Sequence, residues 1–167
     1  MVFDYVRIRF PTQDVKHVVE DILKLRLDVM IHEDFGFYSY AKHYVLGDVF
    51  VLTSPDKEKG TLLELKGKGC RQMESYLLAQ HRSWYDFLMD ALIEGGVMKR
   101  LDLAINDMAG ILDIPELTEK CNHEECISVF RSFKSYRSGE LVRSQEQDKY
   151  GMGNTLYVGS LKSEVYF

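Results

Sequence analysis

The sequence has little of three things: cysteine, positive charge and long apolar runs. Its three cysteines leave one unpaired in any disulfide scheme and lack the regular spacing of a small secreted framework, so reduced thiols are expected. The formal net charge is −5, so any contact with DNA must come from local basic strips. No apolar segment approaches a membrane span in length, and the first residues lack a signal-peptide pattern. These absences predict a cytoplasmic protein with no membrane partner.

What the 167 residues do contain is enough apolar side chain to bury a core. Apolar residues make up 46% of the chain and aromatic residues 12%, which is typical of a globular fold with one domain or two small lobes. Alternation over residues 2–10 predicts a first strand, with Phe3, Tyr5 and Arg7 on one face. Apolar residues at helical spacing then predict a helix over residues 13–25.

The rest of the chain repeats an order of strand, helix and strand hairpins without repeating the sequence. Further strands are predicted over residues 35–44, 48–53, 61–67 and 97–108. Helices are predicted over residues 70–80, 83–93 and 115–121, and the last strands over 129–136, 140–144, 155–159 and 165–167. We expect an α+β fold of two similar antiparallel lobes with helices packed on one face. The first lobe should span residues 1–96 and the second 97–167.

Two acidic residues lie on the polar faces of predicted strands. Glu64 faces away from its leucine neighbours, and Asp102 lies on the polar side of its strand, with Asp107 near the strand end. Such acids are ordinarily solvated, and Glu64 can be a surface partner for a lysine or arginine. Carboxylates that converge on a sheet face can instead hold a hard divalent cation, which polarises a phosphate. The pattern alone leaves both interpretations open.

Basic side chains in two segments are suited to phosphate or to single-stranded DNA. Lys68 and Arg71 flank a predicted helix start, where cations and backbone N–H groups can hold a phosphate. The glycines around Lys68 are also typical of an ordinary turn. Lys134 and Arg137 alternate with aromatic residues, which can follow a DNA strand by charge and base stacking. A hairpin with solvated cations explains this second segment equally well.

Cys121, His123 and Cys126 superficially resemble half of a metal knuckle. A structural zinc site needs four ligands in paired short spacings, and the sequence has no second pair. We therefore interpret this segment as an exposed helix end.

Four short blocks form an ordered pattern across most of the chain. They are residues 62–71 (LLELKGKGCR), 100–107 (RLDLAIND), 153–160 (GNTLYVGS) and 162–167 (KSEVYF). In order and separation they resemble the replication initiation factor family, which includes rolling-circle initiators of small Gram-positive plasmids and relaxases of integrative conjugative elements. Each block is weak alone, whereas the ordered set is fairly specific.

The resemblance implies an enzyme that nicks single-stranded or hairpin origin DNA, with a helicase as a further candidate partner. It implies a divalent cation, Mg²⁺ or Mn²⁺, with Glu64 and Asp102 as ligands and Asp107 as a third. It also implies a tyrosine that attacks a DNA phosphate and leaves a phosphotyrosyl link. By matching position, Arg100 or Lys162 would steady the scissile phosphate.

The resemblance places the nucleophilic tyrosine just past Phe167, where family members usually continue with a basic or apolar residue, then isoleucine, tyrosine, any residue and lysine. The chain is therefore expected to be a catalytic-core fragment. Tyr166 is the candidate substitute, since it would share a strand face with the expected tyrosine. Two other classes stay open: a truncated, non-catalytic origin DNA-binding or regulatory protein, and an unrelated α+β interaction domain whose acids are only solvated.

Overall fold

The first of two compact units is built on a six-stranded antiparallel sheet. The computed structural model describes residues 2–105, 107–139 and 151–159. The strands of this unit are β1 (Val2–Phe10), β2 (Ile31–Glu33), β3 (Lys42–Leu46), β4 (Val49–Thr53), β5 (Thr61–Lys66) and β6 (Val97–Ala104). Its helices are a π-helix (His17–Ile22), a short 3-10 helix (Leu27–Val29), α1 (Gly67–Ala79) and α2 (Trp84–Ile93). The strand order is β2-β3-β4-β5-β1-β6, which confirms the predicted antiparallel α+β class.

One face of this sheet carries the hydrophobic core. Successive strand residues point to opposite faces, and in β1 this buries Val6, Ile8 and Phe10 completely. The π-helix, α1 and α2 pack on the same face. They contribute Val18, Val19, Ile22, Leu23, Cys70, Met73, Leu77, Phe87 and Ala91 to the core. Charged strand residues are thereby left to the opposite face.

The helices predicted over 70–80 and 83–93 are confirmed, with small differences at their starts. Ser83 forms a capping box with Asp86, which fixes the start of α2. The first of the pair, α1, begins earlier, at Gly67, directly after β5. A Cβ at Gly69 would lie 2.3 Å from the backbone oxygen of Asp48. Gly69 therefore allows α1 to pass close to the β3–β4 turn, and the residues around Lys68 form the first turn of the helix.

Three local predictions in the first unit were wrong in detail. The strand predicted over 35–44 begins only at Lys42, because the backbone of Tyr38 and Ser39 has positive φ and forms a loop. The helix predicted over 13–25 has π-type bonding, with Leu23 N–H donating to Val18 O at 3.0 Å. Phe3 does not share a face with Tyr5. A bulge between them turns Phe3 towards the core.

The first compact unit includes β6, whereas the predicted first lobe ends before it, at residue 96. The cause is β6, which pairs antiparallel with β1 from Val2 to Arg9. Local sequence pattern identifies β6 as a strand but carries no information on its partner. The strand therefore completes the first sheet, although it follows the last helix of the first unit.

The second compact unit contains α3 (Ile114–Asn122) and an antiparallel hairpin of β7 (Phe133–Gly139) and β8 (Gly151–Val158). The side chain of Asp113 caps α3 by accepting from Glu116 N–H. The helix predicted from Pro115 is confirmed. The strands predicted over 140–144 and 165–167 lie outside the described residues. Within the described parts of the chain, no helix has both the length and the apolar character that crossing a bilayer requires.

Candidate functional site

The sheet face opposite the helices carries a group of charged and phenolic side chains. Side chains of directly opposed strand residues point to the same face. Tyr5 of β1 is opposite Lys66 of β5 and Asp102 of β6. The next β1 residue on this face is Arg7, which is opposite Glu64 of β5 and Arg100 of β6. We define the sheet-face network as Tyr5, Arg7, Tyr38, Glu64, Lys66, Arg100 and Asp102.

Glu64 is the centre of the network and is 0% exposed, although it lies opposite the core. Its Oε1 accepts hydrogen bonds from Tyr5 Oη, from Arg7 Nη2 at 2.5 Å and from Tyr38 Oη at 3.0 Å. Tyr38 comes from the loop between β2 and β3, and its ring centroid lies 4.2 Å from Arg7 Cζ. The loop therefore covers the carboxylate and removes it from water.

The second carboxylate oxygen of Glu64 has a different environment. Among the described residues, none donates a hydrogen bond to this buried Oε2 atom. Lys66 Nζ lies 3.3 Å away, in an ion pair that lacks hydrogen-bond geometry. A buried oxygen with free lone pairs costs free energy unless a cation or donor approaches it. Lys66 Nζ thus supplies the positive charge beside Oε2, and an added cation would have to replace it there.

The network fixes the protonation states of its members. Burial alone would raise the pKa of Glu64, but hydrogen bonds from Tyr5, Arg7 and Tyr38 outweigh it, and the pKa is lowered. Burial, and then the hydrogen bond to Glu64, raise the pKa of Tyr5. Glu64 is therefore ionised at neutral pH, and Tyr5 is a protonated donor instead of a nucleophile.

Asp102 is held by Arg100 of the same strand. Arg100 Nε donates to Oδ1 at 2.9 Å and Nη2 donates to Oδ2 at 2.5 Å, so both carboxylate oxygens are engaged. Arg100 Cζ also lies 4.2 Å from the ring centroid of Tyr5. Asp102 and Glu64 thus flank β1 on one sheet face, and Arg7, Lys66 and Arg100 balance their charge.

Comparison with known proteins identifies the family of this chain. Residues 1–90 match the family described as the Rolling Circle replication initiation protein N-terminal domain. Residues 96–167 match the family described as Replication initiation factor. The chain belongs to the replication initiation factor family. The resemblance predicted from the four sequence blocks is therefore confirmed.

Two relatives in this comparison are longer than this chain, which covers only part of each. A Bacillus subtilis (strain 168) protein named DNA relaxase NicK is 43% identical over 164 residues, which are 98% of this chain and 45% of that protein. The solved structure of a rolling circle replication initiator protein from Geobacillus stearothermophilus aligns with a TM-score of 0.76 at 24% identity. The alignment covers 98% of this chain and 63% of the initiator chain. The chain spans less than two thirds of each relative, and the solved structure supports the fold.

The predicted metal ligands of this family member are brought together only in part. Glu64 and Asp102 share the sheet face, whereas Asp107 belongs to the second compact unit. Asp107 accepts backbone N–H bonds from Ala109 at 3.2 Å and from Leu112 at 2.6 Å, so its carboxylate shapes a turn. Within the described ranges, no group of three or more His, Cys, Asp or Glu side chains is placed to hold a metal ion.

The predicted phosphate residues of α1 are exposed near its start. Lys68 and Arg71 lie in the first two turns of the helix. The guanidinium of Arg71 donates to Phe3 O and lies 3.6 Å from Glu74 Oε2. Arg71 is therefore already engaged in fixing α1 to β1, and Lys68 stays the simpler candidate for a phosphate contact.

The predicted basic strip of the second unit is divided between two faces. Lys134 and Arg137 are exposed on β7 but lie three positions apart, and strand residues at odd spacing point to opposite faces. Lys134 shares its face with Tyr136, whose ring packs edge-on against Tyr157 at 5.8 Å. Lys162 and Tyr166 lie outside the described residues, so their predicted roles stay predictions.

Four members of the network were not predicted as site residues: Tyr5, Arg7, Tyr38 and Lys66. Alternation in β1 did place Tyr5 and Arg7 on one face, and this polar pair inside an apolar strand was the available signal. Tyr38 carried no such signal. Its contact with Glu64 depends on how the loop before β3 folds over the sheet.

Proposed function

We propose that the sheet-face network is the DNA-processing face of an initiator or relaxase that nicks single-stranded or hairpin origin DNA. In this proposal the chain supplies the catalytic core, and the product is a phosphotyrosyl link. The proposal is carried by the burial of Glu64. Its carboxylate is ionised and fully buried on the sheet face that the helices leave free. Buried charge of this kind is common at functional sites. Family membership supports the class of reaction.

A divalent cation, Mg²⁺ or Mn²⁺, is the cofactor in this proposal, with Glu64 and Asp102 as ligands. Hard cations prefer carboxylate oxygen. Glu64 fits this role if Lys66 Nζ, which lies 3.3 Å from Oε2 without a hydrogen bond, moves away from it. Asp102 fits it if Arg100 releases one of the two oxygens that it now binds. When bound, the cation would stabilise negative charge on the phosphoryl oxygens.

The protein side chains then have separate tasks. Tyr5 and Arg7 orient Glu64 through Oε1 and leave Oε2 available. The side chains of Lys66 and Arg100 are 58% and 43% exposed at the same face, where they can contact DNA phosphates. The nucleophile is a tyrosine of the C-terminal segment, with Tyr166 as the candidate within this chain. Its oxygen would bond to phosphorus while one ester oxygen leaves.

The test compares Asp102→Asn and Glu64→Gln in the whole natural protein on a supercoiled plasmid that carries the origin. Both variants should nick at least about 100-fold more slowly, because each loses a proposed metal ligand. Glu58→Gln is the matched control, since Glu58 lies exposed in the loop before β5. A second measurement, the rise in Tm on adding Mn²⁺, should disappear in both site variants. Nicking at the normal rate by Asp102→Asn would rule out the metal assignment.

One observation favours a second function, that of a non-catalytic origin DNA-binding or regulatory protein. Both oxygens of Asp102 and Oε1 of Glu64 are already engaged by protein donors, so the charges are balanced without a metal. This alternative expects single-stranded DNA binding at low salt that Mg²⁺ and Mn²⁺ do not change. A helicase stays a predicted further partner of the nicking function.

A further inference from the structure

The segment after α3 folds back onto the end of the helix. Glu124 has φ +62°. The N–H groups of Glu124 and Glu125 donate to Cys121 O at 3.3 Å and to Lys120 O at 2.9 Å. These two bonds form the Schellman motif, here with a non-glycine residue in the left-handed position. The motif reverses the chain and returns Cys126 to the last turn of α3.

The reversal brings two cysteine side chains into contact. Cys121 Sγ lies 3.2 Å from Cys126 Sγ, and the Cys121 thiol donates to the Cys126 sulfur. Cys126 is exposed and Cys121 is half-buried. A disulfide has a sulfur–sulfur distance of about 2.0 Å. A movement of about 1 Å therefore separates this pair from a covalent bond, and the surface position of the turn leaves room for it.

The third cysteine, Cys70, provides an internal contrast. It is 0% exposed within the core, and burial raises the pKa of its thiol to about 11. An apolar, buried thiol of this kind is chemically inert. In the surface pair, the hydrogen bond to Cys126 raises the pKa of Cys121. Cys126 is the more exposed of the two and presents its sulfur to reagents in solution.

We propose that Cys121 and Cys126 form a reversible dithiol–disulfide site, independent of the nicking function. The oxidant in this proposal is a low-molecular-weight disulfide. The Cys126 thiolate attacks one of its sulfurs, forms a mixed disulfide and releases one thiolate. Cys121 then loses its proton and attacks the Cys126 sulfur, which expels the second thiolate. The protein loses two hydrogens in total, and the reagent is reduced to two thiols.

The disulfide would link two walls of an open pocket in the second compact unit. The pocket has a volume of about 500 Å³, and both cysteines line it, one on α3 and one on the segment that leads to β7. Its apolar lining consists of Leu117, Ile127, Phe130, Phe133, Leu156 and Val158. A bond between Cys121 and Cys126 would hold α3 and this segment at a fixed distance. Oxidation would thereby replace a contact in the pocket lining with a covalent bond.

The experiment treats the whole chain with 2-hydroxyethyl disulfide and records the intact mass and the number of free thiols. A neutral reagent is chosen because the surrounding segment is acidic, with Glu116, Glu119, Glu124 and Glu125. Two of the three thiols should be lost together, with a mass decrease of two hydrogens and no retained reagent. Peptide mapping should place the bond between residues 121 and 126, and dithiothreitol should restore all thiols.

Three variants make the outcome decisive. Cys121→Ser should accumulate the mixed disulfide at Cys126, at least about tenfold above the wild-type level, because the resolving sulfur is missing. Cys126→Ser should lose the cross-link. Cys70→Ala, the matched control, should oxidise like the wild-type chain. Wild-type protein that retains two reagent groups, forms a bond with Cys70 or does not react would overturn the proposal.

Discussion

The change Arg7→Met tests the energetics of the sheet-face network directly. Methionine replaces much of the aliphatic volume of arginine but removes the charge and the hydrogen bonds to Glu64 and Tyr5. The Glu64 side chain, which is 1% exposed, would then be buried without its main counter-charge. Loss of one partner from a buried ion pair costs about 3–5 kcal/mol. We expect the lower end, about 3 kcal/mol, because Arg7 is 23% exposed and the tyrosine donors remain.

The double-mutant cycle with Glu64→Leu separates the pair from its surroundings. Glu64→Leu alone should cost about 2 kcal/mol, because Arg7 can turn towards water. The double variant should lie within about 1–2 kcal/mol of wild type, since apolar replacement of a buried pair is often near neutral. The two single effects should therefore exceed the double effect by at least about 2 kcal/mol.

Urea unfolding monitored by tryptophan fluorescence provides the measurement. Trp84 is the single tryptophan of the chain, and its ring lies 4.6 Å from that of Phe3, so it reports on the first compact unit. An additive cycle would contradict the assignment of Arg7 and Glu64 as a coupled buried pair. A loss below about 1 kcal/mol for Arg7→Met would contradict it as well.

Three further predictions use the same urea unfolding measurement. The pKa of Glu64 is lower in the folded chain than its unfolded value of 4.5, so the ionised carboxylate should stabilise the fold fully above pH 4.5. This stabilisation should be lost as the pH falls through the folded pKa. Glu64→Gln should remove this part of the fall in unfolding free energy at acidic pH. Gly69→Ala should destabilise the chain by about 1–3 kcal/mol through its clash with Asp48 O, whereas Gly67→Ala, where the nearest atom is 3.7 Å away, should be tolerated. Ser83→Ala should cost about 1 kcal/mol, because it removes the capping box of α2; an unchanged midpoint would show that the cap is dispensable.

Local pattern predicted the elements of this fold well where the spacing of apolar residues is regular. Helical spacing predicted α2 over residues 83–93, and alternation over residues 2–10 predicted β1. The partners of these elements could not be predicted in the same way. β1 lies between β5 and β6, and nothing within residues 2–10 specifies either neighbour.

The candidate site shows the same limit more sharply. The sequence placed Glu64 and Asp102 on polar strand faces, and both are there. Alternation predicted that such acids are solvated, yet Glu64 is fully buried. Its burial depends on Tyr38, 26 residues earlier, and on Tyr5, 59 residues earlier. These contacts come from tertiary structure, which a period of two along one strand does not contain.

The position of β1 inside the sheet also affects how the chain folds during its synthesis. Its partners in β5 and β6 follow roughly 60 and 95 residues later, so much of the sheet depends on contacts that are slow to form. At synthesis rates of about 5–20 residues per second, β1 leaves the ribosome roughly 5–20 s before β6 does. During that interval its apolar face and one hydrogen-bonding edge are open to other chains. A fragment that ends at residue 96 would keep this edge open permanently, and we expect it to aggregate.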